Sequence, residues 1–302
     1  ADPKAPNRYG VTPLSLACRL GNLPIAKMLI AAKADANAKR WNGETPLLTA
    51  VQSGNPALVQ LLADAGGDPN IAESRAGQTA LMWAAAEGKS AVVKLLLERG
   101  ANPNAASKRG YTALLFAAQK GDLESARLLI AHQANPRYEM PDGANAFLLA
   151  LSRGHDAVAR LMLEYGANVN ARDRAGLTPL HEAVRQGKAE LVRDLVQRGA
   201  DLNARTEIPP GPPNPFRVGG LTPFLLAAQA GNVKLMRELI ALGADAKAKS
   251  PDGSGPLTMA TISRSLEAVK FVIETAGADP NENRPNVGNA LHIAARAAAN
   301  DI

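Results

Sequence analysis

Apolar and polar positions along the chain follow one recurring six-residue pattern, in which a capping residue precedes apolar and small side chains. The pattern reads Thr-Pro-Leu-His-Glu-Ala at 178–183, and successive copies start 33 or 34 residues apart, with a single spacing of 44. One period carried through the whole chain indicates a stack of repeated supersecondary units. The copies begin at Thr12, Thr45, Thr79, Thr112, Asn145, Thr178, Thr222, Gly255 and Asn289.

Within one unit the pattern predicts two helices and a loop. Thr178 can cap a helix N-terminus, and Pro179 suits the first helical position because it gives up no needed N–H. Leu180, Ala183 and Val184 then form an apolar stripe at helical spacing. A second apolar stripe that ends at a glycine predicts a second helix, and the polar remainder predicts a loop. Such a unit buries its apolar face only by stacking on its neighbours.

These segments resemble the ankyrin-repeat family, whose two signature segments are matched here by residues 178–183 and 199–204. The resemblance covers essentially all of 1–302 and implies an all-α solenoid of stacked helix-turn-helix units with projecting β-turn loops, called fingers below. We expect a single array of about nine units. The Ala-, Arg- and Pro-rich composition is similar to that of bacterial ankyrin arrays, some of which are fused to other domains.

The spacing of 44 residues places an insertion in one finger, at about 205–219. Five prolines in this stretch exclude both a helix and the hydrogen-bond ladder of a β-sheet, and they favour a stiff loop in polyproline-II conformation. Ile208, Phe216 and Val218 give the insertion apolar side chains. Two uses remain open: they cover the neighbouring fingers, or they reach over the binding groove and contact a partner.

Both ends of the array are expected to be cut within repeats. Residues 1–5 align with the loop segment that follows a second helix. Residues 289–299 supply a first helix, and the sequence stops at Ile302 without the paired second helix. Two further departures concern helix ends: Lys33 and Gln133 stand where six of the eight second-helix ends carry glycine. A left-handed residue other than glycine costs about 1 kcal/mol there.

The chain shows no convincing catalytic or cofactor motif. The stretch 87–90 resembles the end of a phosphate-binding loop, but Trp83 stands where that loop needs glycine, and Arg185 replaces the second histidine of a zinc-protease motif at 181–185. His181 and His292 are expected to tie neighbouring turns together, and Cys18, the single cysteine, to be a buried thiol. We therefore expect no enzyme, cofactor or metal in this segment. No apolar run approaches the roughly 18 residues of a membrane span.

The remaining variable positions point to a binding surface. In the ankyrin family the finger tips and first-helix ends line a concave groove that binds partner proteins. Of twenty such positions here, eleven are Lys or Arg and one is acidic, although the whole chain has 34 basic and 28 acidic residues. Arg, Tyr and Trp are also enriched at binding hot spots. The candidate residues are Arg8, Tyr9, Arg19, Arg40, Trp41, Arg75, Lys108, Arg109, Tyr111, Lys120, Arg153, Arg174, Arg185, Phe216 and Arg217.

These residues predict a non-catalytic interaction module or scaffold whose groove binds an acidic peptide or protein face. Nucleic acid is disfavoured because aromatic residues are few and no nucleic-acid motif is present. An alternative to partner binding is that the fingers are simply a solvated, charged surface. A second alternative is that the array is the recognition segment of a longer enzyme or redox protein.

Overall fold

The computed structural model describes residues 2–207, 219–281 and 288–296. Their contacts divide the chain into two compact units. The first unit comprises Ala1–Pro141 and Asn145–Ala167, and the second comprises Asp142–Ala144 and Asn168–Ile302.

The first unit consists of five helix pairs. In each pair a first helix of seven or eight residues is followed by a second helix of nine residues. The helices are α1 (Pro13–Arg19), α2 (Leu23–Ala31), α3 (Pro46–Ser53), α4 (Pro56–Asp64), α5 (Ala80–Glu87), α6 (Ser90–Glu98), α7 (Ala113–Lys120), α8 (Leu123–Ala131), α9 (Ala146–Ser152) and α10 (Asp156–Glu164).

The second unit contains three helix pairs and one further first helix. They are α11 (Pro179–Arg185), α12 (Ala189–Gln197), α13 (Pro223–Gln229), α14 (Val233–Ala241), α15 (Pro256–Ser263), α16 (Leu266–Glu274) and α17 (Ala290–Arg296). Over the described ranges of both units, 17 helices are present and no strand is longer than an isolated bridge between Glu139 and Asn145. The predicted all-α architecture is confirmed.

Stacking of neighbouring pairs builds a continuous core within each unit. A first helix contacts its own second helix and the first helix of the next pair; α5, for example, contacts α6 and α7. Leu47, Leu81 and Leu114 occupy the same position of the six-residue pattern, and all three side chains are buried. Each pair therefore supplies a wall for the apolar face of its neighbour, as a solenoid requires.

The first helices begin at the capping residues that the pattern contains. The Thr178 side chain accepts the His181 backbone N–H, and the His181 ring accepts the Thr178 backbone N–H at 3.1 Å, which completes a capping box. Asn145 serves equally well, because its Oδ1 accepts the Leu148 N–H at 3.0 Å. Gly255 offers no side-chain cap to α15.

The buried His181 ring also ties two successive turns together, as expected. Its Nε2 lies 3.0 Å from the Leu221 carbonyl, in the loop that precedes α13. Burial lowers the pKa of His181, outweighing the bonds to the Leu221 and Ala204 backbone. The neutral ring therefore stabilises the fold above its unfolded pKa of about 6.5, and this contribution is lost as the pH falls below that value.

Among the residues that the structure describes, three other than glycine adopt left-handed backbone conformations. Lys33 and Gln133 have φ values of 59° and 70°, which confirms the conformation expected at these helix ends. Arg264, at the C-cap of α15, has a φ of 59° and was not anticipated from the repeat pattern. Its position corresponds to Gly54 after α3, where glycine adopts the same region without a Cβ clash.

Asparagine side chains join the loop of one pair to the helix end of the next. The Asn37 amide donates to the Gly66 carbonyl at 2.8 Å, and its Oδ1 accepts the Asp68 N–H at 2.8 Å. Asn70 repeats this arrangement in the first unit, and Asn170 repeats it in the second. We call each such pair of bonds an asparagine rung. Because it uses both donor and acceptor, a rung fixes the register between neighbouring pairs.

Arg137, in the loop after α8, occupies the rung position that Asn37, Asn70 and Asn104 occupy after α2, α4 and α6. Its side chain lies against Gly166, the residue whose carbonyl an asparagine would reach. A guanidinium carries donors but no acceptor, so Arg137 cannot supply the second bond of a rung.

Replacing Arg137 with asparagine should stabilise the protein. We expect Arg137→Asn to raise the free energy of unfolding by about 1 kcal/mol, the usual net contribution of a hydrogen bond. Chemical denaturation monitored by circular dichroism measures the change. The reverse change, Asn104→Arg, removes an existing rung and should destabilise by a similar amount. If only Asn104→Arg has an effect, asparagine at position 137 does not form a stabilising rung.

Candidate protein-binding surface

Four consecutive fingers of the first unit form one hydrogen-bonded strip, which we call the finger platform. A single backbone bond ties each finger to the next. The bonds run, donor first, from Trp41 to Tyr9 at 3.3 Å, from Ser74 to Asn42 at 2.8 Å and from Lys108 to Ala76 at 2.8 Å. The platform comprises residues 7–11, 40–44, 73–78 and 107–111. These bonds hold the finger side chains in a fixed order along one edge.

Each finger is also closed internally. The Arg40 N–H donates to the Glu44 carbonyl and the Ser107 N–H to the Tyr111 carbonyl, both at 2.9 Å. Gly77 has a φ of 71°, and a Cβ there would come within 3.2 Å of the Lys108 backbone nitrogen. Glycine at this position therefore permits both the turn and the close approach of the third and fourth fingers.

The platform bonds do not continue to the fifth finger. Pro141 precedes Gly143 by two residues, just as Lys108 precedes Gly110 in the fourth finger. Proline has no backbone N–H, so it cannot make the bond that Lys108 makes. The strip therefore has a chemically defined end.

Glu73 organises the third finger from the inside. One carboxylate oxygen accepts the Arg75 N–H at 2.6 Å, and the other accepts the N–H groups of Ala76 and Gln78 at 2.8 and 2.9 Å. Burial raises the pKa of Glu73, but these backbone donors and the nearby Lys108 ammonium outweigh it, so that the pKa lies below its usual value. The ionised carboxylate is thus an internal brace for the cations around it.

Replacing this brace should destabilise the third finger. In Glu73→Gln the amide group faces a backbone donor, which leaves a buried N–H unpaired at a cost of about 1–3 kcal/mol. We expect a lower midpoint of denaturant unfolding at pH 7. The carboxylate contribution is present above its unfolded pKa of about 4.3 and is lost as the pH falls through the lower folded value. The difference between wild type and variant should therefore shrink in acid.

The exposed Glu164 provides a matched control, because Glu164→Gln makes the same chemical change at the end of α10. Its unfolding midpoint should equal that of the wild type. A Glu73→Gln protein as stable as this control would show that the carboxylate does not brace the finger.

The third and fourth fingers and α7 enclose a cleft of about 560 Å³. Three cationic side chains line it, together with polar and aromatic ones, and no carboxylate is among the lining residues. The lining residues are Arg75, Ala76, Gln78, Ser107, Lys108, Arg109, Tyr111, Phe116 and Gln119.

Aromatic rings form the apolar part of this cleft. The Tyr111 and Phe116 ring centroids lie 5.1 Å apart with an interplanar angle of 35°, a favourable tilted contact. Nearby, the Trp83 indole donates to Gln78 Oε1 at 2.8 Å. The cleft thus combines cations at the finger tips with a fixed aromatic floor.

The structure leaves most of the candidate binding residues accessible to solvent. Tyr111 is partly buried in the cleft, whereas Phe216 and Arg217 lie outside the described residues. The exposed candidates are Arg8, Tyr9, Arg19, Trp41, Arg75, Lys108, Arg109, Lys120, Arg153, Arg174 and Arg185.

Arg40 differs from the expectation of an exposed cation. Its side chain is only 18% exposed and pairs with Glu44 at 2.5 Å across the closed finger. Met140, another finger residue, is buried rather than exposed. Both side chains support the fingers from within, because the tight turn directs them toward the helices.

Two candidate cations of the second unit are already paired. Arg174 lies 3.2 Å from an Asp142 carboxylate oxygen. Arg185 donates to both oxygens of the buried Glu182, at 2.9 and 2.7 Å. Hydrogen bonds and attraction from Glu182 raise the pKa of Arg185. A ligand would have to compete with these internal carboxylates.

The flanks of the proline-rich insertion are bonded to each other. The Thr206 N–H donates to the Leu221 carbonyl, and the Leu221 N–H donates to Thr206 Oγ1, both at 3.0 Å. Arg205 adds a bond to the Gly220 carbonyl at 3.0 Å. The insertion itself, including Ile208 and Val218, lies outside the described residues, so its two possible uses stay predictions.

Titratable side chains do not assemble into a metal or nucleophile site in the described part of the chain. Within it, no group of three or more His, Cys, Asp or Glu could hold a metal ion. Burial raises the pKa of the Cys18 thiol to about 12, which makes it a poor nucleophile. Between residues 2 and 296, gaps excepted, no helix is both long and apolar enough to cross a membrane.

Sequence reasoning missed one residue that lines the cleft, Phe116, and two that support its lining residues, Glu73 and Trp83. Glu73 was not singled out because its role depends on backbone donors that converge only in the folded finger. Trp83 and Phe116 lie inside the recurring six-residue pattern, which was interpreted as core. Their position is filled by unlike residues in other copies, such as Thr49 and Glu182, and this variability was the available signal.

Paired short helices, asparagine rungs and projecting fingers define a helical repeat protein. A family model described as ankyrin repeats in three copies matches residues 1–73, 67–140, 114–206 and 212–284. The chain therefore belongs to the ankyrin-repeat family. A comparison with curated proteins gave no match. Ankyrin repeats act in general as protein–protein interaction modules and are typically non-catalytic.

Proposed function

We propose that this chain binds an acidic segment of a partner protein on the finger platform and the adjoining first-helix ends. The observation that carries the proposal is the cleft between the third and fourth fingers, where Arg75, Lys108 and Arg109 converge without a lining carboxylate. Among the described residues, Arg75 and Arg109 form no ion pair. Their charge is available to a ligand.

One cation of the cleft is held in place, and the backbone that carries another is fixed. The Lys108 ammonium donates to the Ser74 carbonyl at 2.5 Å, and the Arg75 backbone N–H donates to Glu73. Ordering the Lys108 side chain and the Arg75 backbone before binding reduces the entropy that a partner must offset. Lys120, exposed at the end of α7, extends the basic surface from the fingers onto the helix.

Exposed ion pairs contribute about 0.2–1 kcal/mol each, so several carboxylates must bind together to give useful affinity. A folded acidic face or an acidic peptide meets this requirement, whereas a single small anion does not. Such binding should be strongly weakened by salt, because exposed charges are screened within about 10 Å at 0.1 M.

Reversing the cleft charges tests the proposal. The variant Lys108→Glu/Arg109→Glu/Lys120→Glu should bind a fluorescein-labelled oligoglutamate peptide at least about tenfold more weakly, which corresponds to ~1.4 kcal/mol. Fluorescence anisotropy at low and at moderate salt measures the loss. Circular dichroism should show unchanged helicity, because all three side chains are exposed.

A control variant with the same change in net charge distinguishes the effect of the cleft charges from the effect of the protein's net charge. Lys27, Arg127 and Arg160 are exposed on the second helices α2, α8 and α10, away from the fingers. The variant Lys27→Glu/Arg127→Glu/Arg160→Glu should retain most of the binding. Equal losses in both variants would mean that net charge, not the cleft, attracts the peptide.

A further inference from the structure

The first two fingers carry a different chemistry from the third and fourth. Tyr9 and Trp41, at the tips of the first and second fingers, are 51% and 74% exposed. Leu20, which follows α1, is 70% exposed at the position that Lys120 occupies in α7. The Trp41 N–H donates to the Tyr9 carbonyl, so these two residues are neighbours, and neighbouring exposed apolar side chains mark a candidate interaction surface.

The exposure of Trp41 does not result from a missing neighbour. Its finger is bonded on one side to Tyr9 of the first finger, and on the other side Asn42 accepts the Ser74 N–H of the third. Both neighbouring fingers are in place, yet the indole remains outside the packing. Packing within the unit therefore leaves the ring available to a ligand.

Two cations near these aromatic rings make contacts within the protein. Arg40 pairs with Glu44 beneath the second finger. The Arg8 guanidinium lies over the Tyr9 ring, 4.7 Å from its centroid, and this cation–π contact occupies that ring face. By contrast, Arg75 and Arg109 at the other end of the platform form no ion pair in the described part of the chain. The most exposed aromatic side chains of the platform thus lie at one end, and the cations that line the cleft lie at the other.

We infer that the partner segment is bipartite, with large apolar residues that contact Tyr9, Trp41 and Leu20 and a separate block of acidic residues that contacts Arg75, Lys108 and Arg109. This inference rests on the proposed function and specifies the order of the apolar and acidic blocks along the partner segment. The backbone bonds between fingers fix that order, because the aromatic fingers precede the basic ones along the platform.

The length of such a segment follows from the repeat. Packed helices lie about 8–10 Å apart, so four fingers span roughly 25–30 Å. An extended chain advances about 3.3 Å per residue and covers this span with about eight or nine residues. A peptide of about twelve residues is therefore long enough to contact both the aromatic fingers and the basic fingers.

Two labelled peptides of identical composition test the inference. One carries leucine and tryptophan in a block followed by a block of glutamates, and the other alternates the same residues. We expect the block peptide, in one of its two chain directions, to bind at least tenfold more tightly in fluorescence anisotropy. Trp41→Ala should remove most of that advantage. Tyr165→Ala removes an aromatic side chain of similar exposure after α10 and should leave the advantage intact.

The outcomes separate this inference from the proposed function. Equal binding of block and alternating peptides, with both still weakened by the cleft charge reversal, overturns the bipartite partner and leaves the acidic partner standing. Loss of all dependence on the cleft charges overturns both. If Trp41→Ala instead abolishes self-association in sedimentation experiments, and block peptide does not compete for it, the occupant is a second copy of the chain and the inference is wrong.

Discussion

The asparagine rung is the constraint that sets the register between most helix pairs of the first unit. A pair of short helices has no stable interior of its own, so its side chains are buried only if the next pair arrives in the correct register. Asn37, Asn70 and Asn104 set that register with one donated bond each to a helix end, at 2.8–3.0 Å. Once the register is fixed, the fingers meet in order and the platform bonds can form.

The candidate function uses side chains that this scaffold does not need. The leucine and alanine side chains of the repeat pattern are buried by stacking, and the threonine side chains cap the first helices. The side chains that remain at the finger tips are free to vary. In the first unit, exposed aromatic rings lie on the first two fingers, and the cations that line the cleft lie on the third and fourth. Glu73 marks the boundary between the two roles, because a buried acid holds exposed cations in position.

Local chemistry made much of this architecture predictable. Thr178 and Pro179 identify a helix start from two adjacent residues, and the left-handed Lys33 and Gln133 follow from their alignment with glycine. The burial of Arg40 and Met140 was not predictable, because it depends on how the closed finger turns toward the helices. The cleft was only partly predictable: its cations lie at variable positions, whereas Phe116 is hidden within the repeat pattern.

Pro141 has a consequence for how such an array can change over evolutionary time. Because the platform receives no backbone bond from a fifth finger, later fingers can be lengthened, shortened or exchanged without pulling on the first four. The eleven extra residues between Asn203 and Thr222 fall beyond this proline, in a finger whose base is clamped by its own flanks. A proline at this point of the array thus separates the proposed recognition surface from the later fingers, in which new loops can arise.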